Sequence, residues 1–234
     1  DFDVPVVMAS GENNAFTNND YTDFYITLPK ENLSTALWLE SDRMLRLDFL
    51  ERSLEVQRSV VIEEFKQVCL NQPYGDMDHI LRSLAYTCHP YRTPVIGKDF
   101  SHIERVTLDD VKHWFYAHYA PNNAVLSISG NVSFDQAREA VEHWFADIPR
   151  RGIAPRKLPA EPLPQAPRSK TVSGRVPMTA IVIAYPMMGY GQPGYFDADI
   201  LSDVLANGQA SRFYRELLMQ TDIFNQIDAA IQGS

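Results

Sequence analysis

Apolar residues recur along most of the chain three or four positions apart, the spacing of a helix with one buried face. After Pro29, for example, Leu33, Leu37 and Met44 share one face, and other runs repeat the pattern between prolines and glycines that end them. The periodicity predicts helices over residues 31–48, 54–70, 77–86, 107–119, 133–145, 195–205 and 211–219.

Two of these helices begin with a capping signal, because an acid or amide follows Thr107 and Ser133 by three positions. Shorter β-prone runs predict strands over 4–8, 15–17, 21–28, 125–129, 179–185 and 223–231. Asn and Asp at positions 18–20 separate two of these runs, which predicts a hairpin.

Strands and helices are mixed without strict alternation, so the pattern predicts an α+β fold. We expect a single domain, residues 1–234, with a mixed or antiparallel sheet packed against several helices. Its first half is residues 1–148, and its second half is residues 171–234. Between them, residues 149–170 contain six prolines, which predicts a linker or a long wrapped connection.

Charge and composition exclude several classes of function. The chain has 21 Lys and Arg against 30 Asp and Glu, and a net charge of −9 argues against a nucleic-acid partner. No apolar run is long enough for a membrane span. Two cysteines cannot build a disulfide framework, and no glycine-rich phosphate loop or G-x-S-x-G elbow is present.

One acid has an unusual position. Within the predicted helix 54–70, Glu64 shares a face with Val60, Val61 and Val68, whereas its neighbour Glu63 lies on the polar side. An ionised carboxylate on an apolar face needs a cation, a hydrogen-bond donor or a metal. Two interpretations stay open on the pattern alone: a core pair with an arginine, or a functional carboxylate. Gln57 projects from the same face, two turns earlier.

Several segments resemble the insulinase/pitrilysin family of zinc peptidases. Residues 11–17 followed by 20–25 are similar to its substrate strand, and residues 58–64 are similar to the helix that carries its third zinc ligand. Later blocks resemble that family in the same order: 119–124, 130–132, 176–180 and 205–217. The resemblance spans nearly the whole chain.

The resemblance implies a zinc-dependent metalloendopeptidase that hydrolyses extended peptides, with Glu64 as the third metal ligand. Gln57 stands where many members carry a second acid that steadies the site. The resemblance also implies that a peptide substrate adds as an extra strand to an exposed edge. The edge residues are Asn14, Ala15, Phe16 and Thr17. The resemblance implies that the small side chain of Ala15 lets the peptide backbone come close and that Asn14 hydrogen-bonds to the peptide near the scissile bond. It also implies that Phe16 forms one wall of a side-chain pocket.

The family's H-x-x-E-H motif, which supplies two His ligands and the general-base Glu, does not occur in the sequence. We therefore expect that the chain begins just past the catalytic helix and is inactive by itself. Arg215 matches a substrate-gripping Arg of the family's partner domain, but Asn225 stands near the expected Tyr. This pattern favours a catalytic-side domain that is truncated at both ends. We expect the domain to form one half of a clamshell, with a second homologous domain or subunit as the other half.

Two alternatives remain at this point. The chain could belong to a non-catalytic relative that acts as a binding or assembly subunit. It could also be an unrelated α+β ligand-binding domain, in which case residues 14–17 would form a central strand paired on both sides.

Overall fold

The protein is described here by a computed structural model over residues 2–232. The chain forms two compact units, one within Asp1–Pro162 and Arg168–Thr179, the other within Leu163–Pro167 and Ala180–Ser234. We call them the first and second units. The α+β class predicted from the sequence is confirmed, with helices around a small antiparallel sheet.

The sheet is the predicted hairpin, formed by β1 (Glu12–Thr17) and β2 (Thr22–Thr27). The strands are antiparallel, with Ala15 opposite Phe24. In the turn, Asn18 Oδ1 accepts hydrogen bonds from the N–H groups of Asp20 (2.8 Å) and Tyr21 (2.9 Å), so this side chain takes the place of a backbone acceptor. A Cβ at Gly11 would lie 2.9 Å from the Leu28 Cβ, so only glycine fits where the chain enters β1.

Helices are the main regular secondary structure of the first unit, and the hydrophobic periodicity predicted five of the seven α-helices among its described residues. They are α1 (Asp3–Met8), α2 (Leu33–Leu45), α3 (Glu51–Phe65), α4 (Met77–Ala85), α5 (Phe100–Arg105), α6 (Leu108–His118) and α7 (Phe134–Phe145). A π-helical turn, Lys66–Leu70, extends α3, and short 3-10 turns cover Lys30–Asn32, Pro90–Arg92 and Pro121–Asn123. The periodicity did not predict α5, because six residues are too few to show it.

The core of the first unit lies between these helices. Its most buried apolar residues are Val6, Leu37, Phe65, Phe115 and Ala120. The indole Nε1 of Trp144 on α7 donates to Ser34 Oγ on α2 at 2.9 Å. The rings of Phe65 on α3 and Phe100 on α5 lie 6.3 Å apart, edge to face. These contacts join helices that are distant in sequence.

The second unit contains α8 (Tyr195–Ala206) and a π-helical turn, Tyr214–Leu218. Both coincide, to within one residue at the end of α8, with helices predicted from the sequence. Gly194 precedes α8 in the left-handed conformation (φ +90°), which glycine adopts without steric cost. The rings of Tyr190 and Tyr195 pack edge to face, 5.2 Å apart.

Four predicted strands are wrong in the described part of the chain. Residues 4–8 lie in α1, where Pro5 is tolerated because the first helical turn needs no N–H from it. Residues 125–129, 179–185 and 223–231 carry no strand. A β-prone run becomes a strand only where the backbone groups of another strand pair with it. Val125 is 97% exposed, which shows that the run 125–129 is not packed beside another strand there.

Within residues 2–232, no helix combines the length and apolar character that a membrane span requires.

Candidate functional site

The β1 strand has one open edge. Its sole strand partner within residues 2–232 is β2, so the alternative of a central strand paired on both sides is wrong. Ala15 donates its N–H to Asn14 Oδ1 at 2.8 Å. The alternation of the ladder, in which Asn18 N–H donates to the Tyr21 carbonyl, places the Ala15 N–H on the side away from β2. The four predicted edge residues, Asn14–Thr17, are all exposed.

The side chains along this edge leave room for a peptide. Phe16 is 48% exposed and packs edge-on against Tyr21, with ring centroids 6.0 Å apart, so one aromatic wall stands beside the strand. Ala15 presents only a methyl group. Alternate backbone groups of an edge strand point outward, and a peptide in extended conformation can pair with them. The arrangement is therefore suited to β-strand addition.

Glu64 lies on α3, and its side chain is exposed. Among the described residues it makes no hydrogen bond and no ion pair, whereas Glu63 beside it accepts from Lys66 Nζ at 2.6 Å. The nearest arginine on the helix, Arg58, pairs with Glu55 and donates to the Val106 carbonyl at 2.6 Å. The interpretation of Glu64 as half of a core pair with arginine is therefore wrong for the described chain.

The surroundings of Glu64 differ from the prediction in one respect. The valines on the face that Glu64 shares with Gln57 predict that this face is buried, but Gln57 is exposed, and so are Val60 (53%) and Val68 (46%). Helical periodicity shows that apolar residues share a face, but it does not show what covers them. Here the face carries an unpaired acid, an amide and valines, and it lies open within the first unit.

The structure groups the predicted residues into two sets. Asn14, Ala15, Phe16 and Thr17 follow one another on β1, while Gln57 and Glu64 lie two turns apart on α3. No hydrogen bond or ion pair joins one set to the other within residues 2–232.

The described residues do not complete a metal site. They contain no group of three or more His, Cys, Asp or Glu side chains that could hold a metal ion. A zinc site in a protein uses three or four protein ligands. Glu64 can supply one carboxylate ligand, so the described residues could form part of such a zinc site but not all of it.

The two thiols are poor candidates for chemistry. Burial raises the pKa of Cys69, and Asp78 and Asp76 raise it further. Partial desolvation also raises the pKa of Cys88, together with a hydrogen bond to Glu161. A raised pKa keeps a thiol protonated and weakly nucleophilic near neutral pH.

The contacts at the hairpin turn could not be predicted from sequence patterns. Arg156 Nη1 donates to Asp20 Oδ1 at 2.6 Å, and the Tyr91 hydroxyl donates to the other carboxylate oxygen of Asp20. Arg82 Nη1 donates to Asn19 Oδ1 at 3.3 Å. These partners are 63 to 136 positions apart, so no local spacing could have identified them.

Comparison with known proteins agrees with this fold. A family model described as the peptidase M16 inactive domain matches residues 105–232, more than half of the chain. The zinc protease PqqE of Helicobacter pylori is 26% identical over 231 residues, which cover 97% of this chain and 51% of that protein. The mitochondrial-processing peptidase subunit beta of Saccharomyces cerevisiae is 25% identical over 199 residues, 83% of this chain and 42% of that protein.

Two solved structures show the same fold. A protease from Helicobacter pylori superposes with a TM-score of 0.73 at 23% identity, over 93% of this chain and 53% of that one. A peptidase M16 inactive domain from Pseudomonas fluorescens also gives 0.73, at 18% identity, over 92% and 52% of the two chains.

The present chain thus spans about half the length of the relatives that it matches. Glu64 and Asn14–Thr17 precede the range matched by the family model, so their roles, and the prediction of a catalytic-side half, stay predictions. The resemblance seen in the sequence is confirmed: the chain belongs to the M16, or insulinase, family of peptidases.

Proposed function

We propose that this chain is part of a zinc-dependent endopeptidase that cleaves extended peptides. The β1 edge would receive the substrate as an added strand, and Glu64 would supply one zinc ligand. The observation that carries the proposal is the unpaired carboxylate of Glu64 in a chain whose relatives are named zinc proteases. Its neighbour Glu63 is paired with Lys66, so of these two adjacent acids Glu64 is the one whose carboxylate is available to bind a metal.

The edge supports a substrate of extended shape rather than a folded one. Strand addition uses backbone hydrogen bonds for affinity and side-chain pockets for selectivity. Asn14 and Ala15 provide a small, polar stretch beside the peptide backbone, and Phe16 provides an apolar wall. These features favour unfolded segments or peptides, which can present a free strand.

The chain would be inactive by itself. Because the described residues supply at most one ligand to the metal, the remaining ligands and the general base would come from residues outside this chain. We also propose a second homologous domain or subunit that closes over the peptide. The half-length coverage of the relatives supports this arrangement.

A second candidate function is that of a non-catalytic binding or assembly subunit. The description of the matched family model as an inactive domain favours it. Such a subunit could keep the β1 edge for peptide binding, but it would have no need of a free carboxylate on α3.

The test compares Glu64→Gln with Glu63→Gln in the full-length protein. We expect Glu64→Gln to lower zinc content and peptide hydrolysis by more than about 100-fold, because even an outer-shell partner of a metal is worth about 10–100-fold. Glu63→Gln should change neither, since Glu63 is engaged with Lys66. Zinc is measured by elemental analysis, and hydrolysis with a fluorogenic unstructured peptide.

Normal zinc content and activity in the Glu64→Gln protein would refute the assignment of Glu64. A wild-type protein that binds the peptide but holds no zinc and does not cleave would instead support the binding-subunit function.

A further inference from the structure

The Pro-rich connection has more contacts than a flexible linker. Residues 150–162, here called the strap, lie in the first unit and contain no helix or strand. Pro155, Pro159 and Pro162 restrict the backbone along the strap, so less entropy is lost when it is held in place. Two of its charged side chains, five positions apart, reach different parts of the first unit.

Glu161 fills a cluster of backbone N–H groups. Its carboxylate accepts hydrogen bonds from the N–H groups of Thr87 (2.7 Å), Cys88 (3.0 Å) and His89 (2.9 Å). The Thr87 hydroxyl donates to the same carboxylate. Successive N–H groups that converge in this way form an anion-binding nest. One end of the strap is therefore bonded to the loop after α4.

Desolvation alone would raise the pKa of Glu161. The hydrogen bonds from the Thr87 hydroxyl and from the three N–H groups outweigh it and hold the pKa well below its ordinary value. The carboxylate therefore stays ionised near neutral pH, and charge-assisted hydrogen bonds are the stronger kind.

Arg156 holds the turn of the hairpin. Its Nη1 donates to Asp20 Oδ1 at 2.6 Å, and its Nη2 donates to the Asn19 carbonyl at 3.3 Å. The same Asp20 carboxylate accepts from the hydroxyl of Tyr91, which lies two residues after the nest. The strap, the hairpin turn and the 87–91 loop thus form one connected network.

Arg82 on α4 closes this network. Its Nη1 donates to Asn19 Oδ1 at 3.3 Å and to the Tyr91 carbonyl at 3.1 Å. The hairpin is a two-stranded sheet, which is marginally stable alone. Its position therefore depends on contacts at its turn and on the helices beside it.

We propose that the strap positions the β1 edge for substrate, with Arg156 and Glu161 as its two positioning residues. This inference rests on the proposed function, since it assigns a role to the edge that binds the peptide. It gives the Pro-rich segment a function other than joining two halves. Neither residue is expected to touch the peptide; each acts by holding the hairpin turn or the loop that supports it.

The experiment uses Glu161→Gln and Arg156→Gln in the full-length protein, with Lys157→Gln as the matched control. Lys157 lies in the same strap and makes no hydrogen bond or ion pair within residues 2–232. Hydrogen exchange is followed by mass spectrometry in the hairpin, residues 12–27, and in α7 as an internal reference. Arg156→Lys tests rescue, because it keeps a charge that can reach Asp20.

We expect exchange in the hairpin to become about tenfold faster in both variants, since hydrogen bonds to charged groups contribute enough for a change of this size. Exchange in α7 and the control variant should match the wild type, and Arg156→Lys should recover part of the protection. With a fluorogenic peptide, KM should rise several-fold while kcat changes little, because the edge is misplaced but the chemistry is untouched.

Unchanged hairpin exchange in both variants would overturn the positioning role, whatever the activity. Faster exchange in α7 as well as in the hairpin would also overturn it, because it would show a general loss of stability. If the wild-type protein cleaves no peptide, the proposed function fails, while the exchange data still decide whether the strap holds the hairpin.

Discussion

At the scale of single residues, Arg151 joins the ends of two helices. Its Nη1 donates to the Tyr119 carbonyl at 2.6 Å at the end of α6, and its Nη2 donates to the carbonyls of Met44 (3.1 Å) and Leu45 (3.3 Å) at the end of α2. Its guanidinium also lies 4.9 Å from the centre of the Phe115 ring. A cation at helix C-termini satisfies carbonyls that have no partner within the helix.

Replacing Arg151 should therefore destabilise the protein. We expect Arg151→Ala to lower the free energy of unfolding by about 2–3 kcal/mol, because several hydrogen bonds to a charged group are lost. Arg151→Lys should recover a minor part, since an ammonium group cannot reach both helix ends. Urea denaturation measures this, with Arg150→Ala as the control, because Arg150 is exposed and makes no hydrogen bond or ion pair within residues 2–232. Equal stability of the two alanine variants would contradict the role of Arg151.

At the scale of elements, local signals predicted helices better than strands. The capping boxes at Thr107 and Ser133 are present in the structure, because each is completed within three residues. The runs at 125–129 and 179–185 have β-prone sequences but no strand beside them, and pairing is decided by distant parts of the chain. The contacts of Arg151, Arg156 and Glu161 could not be predicted from the sequence for the same reason, because their partners are distant along the chain.

The capping box of α6 gives a prediction about pH. The hydroxyl and N–H of Thr107 donate to Asp110 and hold the pKa of its carboxyl below the ordinary 3.8. The unfolded chain then binds more protons than the folded one as pH falls through this range, so the contribution of Asp110 to stability is present at neutral pH and is lost in acid. Asp110→Asn should lower the Tm at pH 7 and have a smaller effect near pH 3.

The control for this experiment is Asp109→Asn, which changes the neighbouring acid but leaves the box intact. Thermal unfolding of both variants at the two pH values distinguishes the contribution of the capping box to Tm from the general contribution of negative charge in the first turn of the helix. An Asp110→Asn protein whose Tm deficit is the same at both pH values would show that the ionised carboxylate is not what stabilises the cap.

At the scale of the whole molecule, the predicted site divides into a part that sequence could locate and a part that it could not. The resemblance placed Glu64 on a helix and Asn14–Thr17 on a strand, and the structure has both elements. It could not show that the face around Glu64 is open, nor that a strap holds the hairpin turn, because exposure and long-range contacts depend on the complete fold. In the proposed function, the β1 edge is the surface that pairs with the peptide substrate.

The open edge can be tested without disturbing the hairpin. The Ala15 N–H points away from β2 and donates to Asn14 Oδ1, a bond that an added strand would replace. Ala15→Pro removes this donor and leaves the ladder to β2 in place, as prolines on edge strands do. We expect KM for an unstructured peptide to rise several-fold, up to about tenfold, because one neutral backbone hydrogen bond contributes roughly 0.5–1.5 kcal/mol. The Tm should change by only a few degrees. Ala15→Ser keeps the N–H and should behave as the wild type. If the proline variant binds and cleaves the peptide normally, the substrate does not pair with β1, and the docking surface must be sought elsewhere in the protein.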